Sequence, residues 1–372
     1  MLYIGLISGT SMDGIDSVLV RFDSSTPTLL ASLSRSYPAE LHEQLLAGAA
    51  NPEQFTLHDF GTMHALLARE FAAAVEELLS SAACSADQVS AIGSHGQTIL
   101  HAPLNAPPFT LQLGDPGALA ALTGIPVAAD FRSTDMALGG QGAPLMPAFH
   151  QFAFGSDVED RALVNIGGIA NLSLMPAQGL TTGFDTGPGN TLLDSWHRSH
   201  RGGDFDPGGA WSASGQPDMT LLARLLTDPY FNAPPPKSTG TDYFNREWLD
   251  SHLATLESPT TPVDVQATLA ELTAVSIANS LAATNLQPTS LAVCGGGAHN
   301  QDLLQRLQQH LPAWQVVTTS DWGIAPDWVE AAGFAWLAHE RLAGNASSLP
   351  AVTGARLAVS QGGLYLPPSD SL

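Results

Sequence analysis

Glycines and hydroxyl side chains are concentrated in a short polar stretch near the amino terminus. Residues 8–14, SGTSMDG, separate two apolar runs at 2–7 and 17–20. Because glycine permits positive φ, Gly9 and Gly14 can turn backbone N–H groups toward one point, where nearby hydroxyls add further donors. Such a cluster of donors binds phosphate. The long polar turn of an ordinary β-hairpin would explain the same residues, so both interpretations stay open for this stretch alone.

Two carboxylates lie in sequence surroundings that suit catalysis. Asp185 belongs to a turn framed by glycine and proline, FDTGPGN, where a rigidly held, partly desolvated carboxylate could act as a base. Glu330 begins a stretch that is otherwise apolar and aromatic, as the wall of a sugar site would be. Each has a plainer explanation. Asp185 could simply form the turn, and Glu330 could be a favourable acid in the first turn of a helix.

Three further features bear on ligands. The run 295–297 is Gly-Gly-Gly after an apolar segment, which allows close approach of a charged ligand or close packing of a helix on a strand. Lys237 is the only lysine among 13 basic residues and follows three prolines. The 12 histidines show no metal-ligand spacing, and structural roles are favoured for His95 and His299. The sequence therefore predicts no protein-built metal site.

Composition and missing motifs narrow the function further. A net charge of −22 argues against nucleic acid as a partner, because binding a phosphate backbone needs a basic face. No apolar run reaches the ~18 residues of a membrane helix. With two cysteines and no recognisable secretory signal, we expect a cytoplasmic protein without a disulfide framework. The chain also lacks the P-loop, Rossmann, zinc-protease and nucleophile-elbow motifs.

The elements that must position these residues occur twice along the chain. The first half predicts a hairpin at 2–21, a helix at 52–81 and a strand at 89–98 that ends in a glycine turn. The second half predicts a hairpin at 162–174, a helix at 265–283 and a strand that runs into 295–297. The pattern indicates a duplicated α/β unit, with a phosphate-bearing ligand in the cleft between the two domains.

Other segments connect these units. A helix stub is predicted at 119–123 and a strand at 126–131. A glycine-rich loop is predicted to cross between the halves at 132–147, and further loops at 204–215 and 228–243.

Eight motifs, in order and over nearly the whole chain, resemble one enzyme family. They are GTSMDGID, GSHGQT, ADFRSTDMALGGQGAPL, LVNIGGIANLS, GFDTGPGN, PPKSTG with DYFN, CGGGAHN and EAAGFAWLA. Together they resemble the 1,6-anhydro-N-acetylmuramic acid kinases, which belong to the sugar kinase, heat-shock ATPase and actin superfamily. Any single motif would be unspecific, but eight in sequence are specific.

The resemblance implies a fold and a division into domains. The fold is α/β, with two duplicated ribonuclease-H-like (actin-like ATPase) domains and a nucleotide and sugar cleft between them. We predict an N-terminal domain at 1–131, to which 345–372 returns, and a C-terminal domain at 132–344.

The resemblance also implies roles for individual residues. Asp185 matches the catalytic acid–base residue. Arg132, Gln97, Glu330 and Lys237 are predicted substrate contacts. The predicted ATP contacts are Gly9, Thr10, Ser11, Met12, Asp13, Gly14, Ile15, Asp16, Asn165, Gly167, Gly168, Gly296, Gly297 and Asn300.

The implied activity is ATP-dependent opening of the 1,6-anhydro ring of anhydro-N-acetylmuramic acid with phosphorylation of O6. The products would be N-acetylmuramic acid 6-phosphate and ADP, in peptidoglycan recycling. Mg²⁺ would be held mainly by phosphates and water. The expected partners are the sugar and ATP, without nucleic acid or membrane, and a homodimer is allowed. The alternatives are a kinase for another amino sugar and a regulatory ATPase of the same superfamily.

Overall fold

The structure is a computed structural model that describes residues 1–9, 12, 14–23, 26–287 and 289–368. The chain divides into two compact units. Unit 1 comprises Met1–Ala153 and Trp328–Leu372, and unit 2 comprises Phe154–Asp327. The domain boundaries predicted at 131/132 and 344/345 both fall inside unit 1.

The strands of the described chain are β1 (Leu2–Ser8), β2 (Gly14–Arg21), β3 (Thr28–Ser36), β4 (Val89–Ala102), β5 (Phe109–Leu113), β6 (Val127–Ala129), β7 (Arg161–Ile166), β8 (Ile169–Met175), β9 (Thr182–Pro188), β10 (Ser290–Cys294), β11 (Gln315–Thr318) and β12 (Gly363–Tyr365). The α-helices are α1 (Ala39–Ala50), α2 (Leu57–Ser81), α3 (Pro116–Thr123), α4 (Ser133–Ala137), α5 (Met146–Phe154), α6 (Thr191–Arg201), α7 (Ala210–Ser214), α8 (Met219–Leu225), α9 (Pro229–Asn232), α10 (Arg246–Leu253), α11 (Pro262–Ala282), α12 (Gln301–His310), α13 (Val329–Ala343) and α14 (Pro350–Thr353).

The two sheets share one strand order, which confirms the duplication predicted from the sequence. In unit 1 the order is β3-β2-β1-β4-β6-β12, and β5 pairs with β4. In unit 2 it is β9-β8-β7-β10-β11. In each unit the first three strands of this order pair antiparallel with one another. The fourth and fifth strands run parallel to the third. This common order is the α/β fold expected of two duplicated domains.

Close packing of α13 explains why the chain returns to unit 1 at Trp328 rather than near residue 345. A side chain at Gly5 on β1 would overlap the carbonyl oxygen of Ala331, and one at Gly93 on β4 would overlap that of Phe334. These two glycines therefore let the helix lie directly on the sheet. The strand glycines look unremarkable in the sequence, so this contact was missed.

The opposite face of the first sheet is covered by α2. Its buried side chains recur at three- and four-residue steps from Met63 to Leu79, as the sequence pattern predicted. The helix begins at Leu57, because Thr56 and Asp59 form a capping box and Pro52–Gln54 forms a separate 3-10 turn. The predicted loop 132–147 likewise contains the short helix α4.

Unit 2 has its core between its own sheet and the helices α11 and α12. Helix α11 buries 13 of its side chains, among them Leu269, Leu272 and Ile277. Among the described residues, no helix combines the length and the apolar character that crossing a membrane would require.

Candidate active site

The turn between β1 and β2 carries the first predicted phosphate loop. Met12 has φ of 56°, which is uncommon outside glycine, and its N–H donates to the carbonyl of Gly9 at 3.2 Å. The side chains of Met12 and Ile15 are buried in the core of unit 1, so these two residues can offer a ligand only backbone groups. The predicted contacts Thr10, Ser11 and Asp13 lie outside the described residues.

A buried side-chain pair fastens the base of this loop. Ser8 and Gln97 are partners in the β1–β4 register, and Ser8 Oγ donates to Gln97 Oε1 at 2.5 Å. Gln97 Nε2 donates to the carbonyl of Thr98 at 3.2 Å, and the side chain is 1% exposed. Both ends of the amide are thus engaged within unit 1, which indicates a structural role. The predicted sugar contact of Gln97 stays a prediction.

Arg132 is held by two hydrogen bonds in unit 1. Its Nη1 donates to the carbonyl of Gly142 at 2.8 Å, and its Nη2 lies 2.8 Å from His95 Nε2. Arginine can only donate, so His95 Nε2 must accept and the imidazole is neutral, with its proton on Nδ1. Burial, with repulsion from Arg132 as a second cause, holds the pKa of His95 well below its usual value. His95 therefore orients Arg132. Because the imidazole is neutral, it does not compete with the guanidinium for an anionic group.

Glu330 and Asp16 share the surroundings of Arg132. Burial lowers the pKa of Arg132 to about 10, although Glu330 opposes this effect. Burial raises the pKa of Glu330, attraction to Arg132 lowers it, and repulsion from Asp16 raises it again. The Glu330 residue is exposed to solvent, but protein atoms around its carboxyl group are close enough to raise its pKa. The structure thus brings three predicted site residues within electrostatic range of one another.

The turn between β7 and β8 is tied down through its carbonyl groups. Asn190 N–H donates to the carbonyl of Gly167 at 2.8 Å, and Gly189 N–H donates to that of Gly168 at 2.9 Å. The side-chain Nδ2 of Asn190 donates to the carbonyl of Ile166 at 2.9 Å. A side chain at Gly189 would overlap Gly167 O. The GPGN segment thus engages the carbonyls of this turn, and the backbone N–H groups of such a turn are the kind of donor that binds anions.

The three glycines after β10 differ in their surroundings. A side chain at Gly295 would overlap Asn165 Oδ1, and one at Gly297 would come within 2.5 Å of Ile166. At Gly296 the nearest atom would be Asn190 Nδ2 at 3.4 Å, so this glycine is the least crowded. The crowding supports the close-packing interpretation at Gly295 and Gly297, and the approach of a ligand to this run stays a prediction.

Asn300, predicted to contact ATP, caps a helix. Its Oδ1 accepts from the N–H of Leu303 at 3.0 Å, at the start of α12, and a side chain at Gly209 would overlap it. Its position connects the glycine run with the helix that follows. Direct contact with the nucleotide stays a prediction.

Asp185 is held on three sides by the segment 230–239. Its N–H donates to the carbonyl of Lys237 at 3.1 Å, and its carbonyl accepts from Tyr230 Oη at 2.7 Å. The N–H of Thr239 donates to Asp185 Oδ2 at 3.0 Å. Tyr230 and Thr239 were missed in the sequence, because only the folded loop brings them to β9. They leave the second carboxylate oxygen for other contacts.

Burial sets the protonation of Asp185. It raises the pKa to about 6, against the opposing effects of the Thr239 N–H and the Lys237 ammonium. A carboxyl group with a pKa near 6 is ionised at neutral pH but accepts a proton more readily than an ordinary aspartate. The carboxylate thus has the properties of a general base.

The strand register places Asp185 in one row with residues next to the glycine turn between β7 and β8. Asn171 on β8 is the partner both of Asn165 on β7 and of Asp185 on β9, so the three residues share one face of the sheet. A bulge interrupts the β8–β9 register beside this row, where Thr186 Oγ1 donates to the carbonyl of Ala170 at 3.2 Å. Bulges redirect neighbouring side chains. Asn171 was missed because cross-strand register cannot be read from motif spacing.

Within the described part of the chain, no group of three or more His, Cys, Asp or Glu side chains could hold a metal ion. An ion carried by nucleotide phosphates needs no such group.

Comparison with known proteins identifies the family. The sequence profile of the anhydro-N-acetylmuramic acid kinases matches residues 1–367. An anhydro-N-acetylmuramic acid kinase of Saccharophagus degradans is 48% identical over 369 residues, covering 98% of this chain and 99% of that protein. One of Coxiella burnetii is 49% identical over 365 residues, covering 98% and 97%. A solved dehydratase activator of Clostridium difficile with bound ADPNP matches 90% of this chain and 93% of that chain, with 12% identity and a TM-score of 0.47.

The family profile and the two relatives agree over almost the full length of the chain. The chain therefore belongs to the anhydro-N-acetylmuramic acid kinase family.

Proposed function

We propose that this protein is a cytoplasmic kinase that uses ATP to open the 1,6-anhydro ring of anhydro-N-acetylmuramic acid and to phosphorylate O6. The products are N-acetylmuramic acid 6-phosphate and ADP, and the reaction serves peptidoglycan recycling. The observation that carries this proposal is the Asp185 carboxylate, which is partly buried, accepts a hydrogen bond from the Thr239 N–H and has a pKa near 6. Family membership supplies the substrate class.

Asp185 acts on water rather than on the sugar hydroxyl. In the anhydro-sugar O6 is bonded to C1 and carries no proton, so a base has nothing to remove there. The Asp185 carboxylate instead takes a proton from a water molecule, whose oxygen attacks C1. The C1–O6 bond breaks and leaves its electron pair on O6, which attacks the γ-phosphorus as ADP departs. The proton on Asp185 then passes to solvent.

Phosphate binding is assigned to the two glycine turns. In unit 2 the assignment rests on the N–H groups of Gly167 and Gly168, and in unit 1 the loop at 9–16 stays a predicted phosphate contact. Phosphoryl transfer requires mainly positioning and neutralisation of charge. Mg²⁺ bound with ATP would neutralise part of the phosphate charge and would be held mainly by phosphates and water.

A coupled assay of ADP release tests the proposal. We expect turnover with anhydro-N-acetylmuramic acid and at least a hundredfold less with N-acetylmuramic acid or N-acetylglucosamine. Turnover with another amino sugar instead would favour a kinase of different specificity. Slow ATP hydrolysis that no sugar changes would favour a regulatory ATPase, and either result would overturn the proposal.

A further inference from the structure

Lys237 does not project freely from its proline-rich segment. Its Nζ donates to the carbonyls of Tyr230 at 3.2 Å and Phe231 at 3.3 Å, and it lies 4.7 Å from the centre of the Tyr230 ring. The ammonium is therefore turned back onto α9 of its own unit. Two of its three donors are used there, and the ring covers it further.

The same residues hold Asp185. Lys237 accepts from the N–H of Asp185 through its own carbonyl, and Tyr230 donates to the carbonyl of Asp185. Lys237 Nζ connects these two attachment points by bonding the carbonyl of Tyr230. Thr239, which bonds the carboxylate itself, lies two residues beyond Lys237. The Lys237–Tyr230 hydrogen bond thus closes the segment 230–239 at the same residues that bind Asp185.

We infer that Lys237 is a positioning residue for Asp185: its ammonium closes the segment 230–239 around that aspartate and does not bind ATP or the sugar. The inference rests on the proposed function, because it concerns the base of that reaction. It differs from the substrate contact predicted from the sequence. A substrate contact needs donors aimed outward, whereas here two of the three ammonium donors are engaged within the segment.

Charge gives Lys237 a second effect on Asp185. The ammonium lowers the pKa of the carboxyl group, against the larger effect of burial. Burial lowers the pKa of Lys237 itself, and attraction to Asp185 opposes this. The Tyr230 phenol is the other titratable group beside Asp185; burial and the Asp185 charge raise its pKa, so it remains a donor at neutral pH. Loss of the ammonium should therefore shift protonation of Asp185 toward higher pH.

Two variants, Lys237→Met and Lys237→Arg, separate the two effects of Lys237 on Asp185. These effects are closure of the segment 230–239 and the charge of the ammonium. The base works when it is ionised, so kcat/KM of the unmodified protein should rise with pH through about 6. In Lys237→Met we expect this rise to move to higher pH by roughly one unit and kcat to fall about tenfold. Both KM values should stay within about twofold. Lys237→Arg keeps the charge and should restore the pH profile. A large rise in KM with an unmoved profile would overturn the inference.

Because the chain contains one lysine, labelling with [ε-¹³C]lysine gives a single side-chain signal and needs no turnover. That signal should shift with a midpoint near pH 6, and Asp185→Asn should abolish the shift. A chemical shift that does not depend on pH and changes only when ATP or sugar is added would contradict the inference. If only the ADP-release assay fails, the proposed function is refuted. The NMR titration would still show whether the Lys237 ammonium lies beside Asp185.

Discussion

Replacing Asp185 with asparagine is expected to lower turnover by ~10² or more while ATP still binds. The amide has nearly the volume of the carboxylate, and its oxygen can still accept from the Thr239 N–H. It cannot take a proton from water. Steady-state turnover and a separate measurement of ATP affinity check the two parts of this expectation. Near-normal turnover would remove Asp185 from the mechanism.

Stability should move in the opposite direction to activity. Because burial raises the pKa of Asp185 from 3.8 to about 6, the folded protein binds more protons than the unfolded chain between those values. The native state therefore loses stability as the pH rises through this window. At pH 7.5 the Asp185→Asn protein should have a Tm no lower than the unmodified protein. Asp160→Asn is the matched control, because Asp160 also accepts backbone N–H groups in unit 2, and its turnover should stay within about twofold.

Gly167→Ala is expected to weaken ATP binding without destabilising the fold. A methyl group at Gly167 would meet only the carbonyl of Ile169, at 3.7 Å, so the free protein can accommodate it. It would occupy the space that we assign to phosphate. Loss of one hydrogen bond to a charged group costs roughly 1.5–3 kcal/mol, which corresponds to about a ten- to hundredfold rise in the ATP Kd. Calorimetric titration measures the rise.

Gly189→Ala provides the contrast. Its methyl group would overlap the carbonyl of Gly167 and displace the turn itself. We therefore expect Gly189→Ala to lower both the Tm and the ATP affinity, whereas Gly167→Ala lowers the affinity alone. ATP binding by Gly167→Ala at the strength of the unmodified protein would place the phosphates elsewhere.

Much of the architecture could be predicted because it follows from local pattern. Apolar periodicity predicted α2 and α11, and the two hairpins with their glycine turns predicted the duplication that both sheets display. Apolar periodicity alone predicts the start of α2 five residues too early, because the start at Leu57 is determined by the capping pair Thr56 and Asp59. The return of α13 to unit 1 depends on the contacts at Gly5 and Gly93, which link residues more than 200 positions apart.

The candidate site, like the fold, could be predicted from the sequence only in part. Residue type and turn chemistry drew attention to Asp185, Glu330 and the glycine runs. The partners that determine their behaviour came only from the fold. Neutral His95 beside Arg132, Tyr230 and Thr239 around Asp185, and Asn171 in the row across the sheet all depend on register or on loop closure. Lys237 was noticed for its rarity, but the direction of its ammonium could not be inferred from composition.

The central claim, that Asp185 delivers water to C1 as O6 becomes the nucleophile, is tested most directly by turnover in ¹⁸O-labelled water. Product should be analysed soon after mixing, and unlabelled product held in the same water corrects for exchange at C1. We predict one ¹⁸O atom at the C1 hydroxyl beyond that exchange, with none in the phosphoryl group or on O6. Label in the phosphoryl group or in free phosphate, or ring opening at full rate without ATP, would contradict this account.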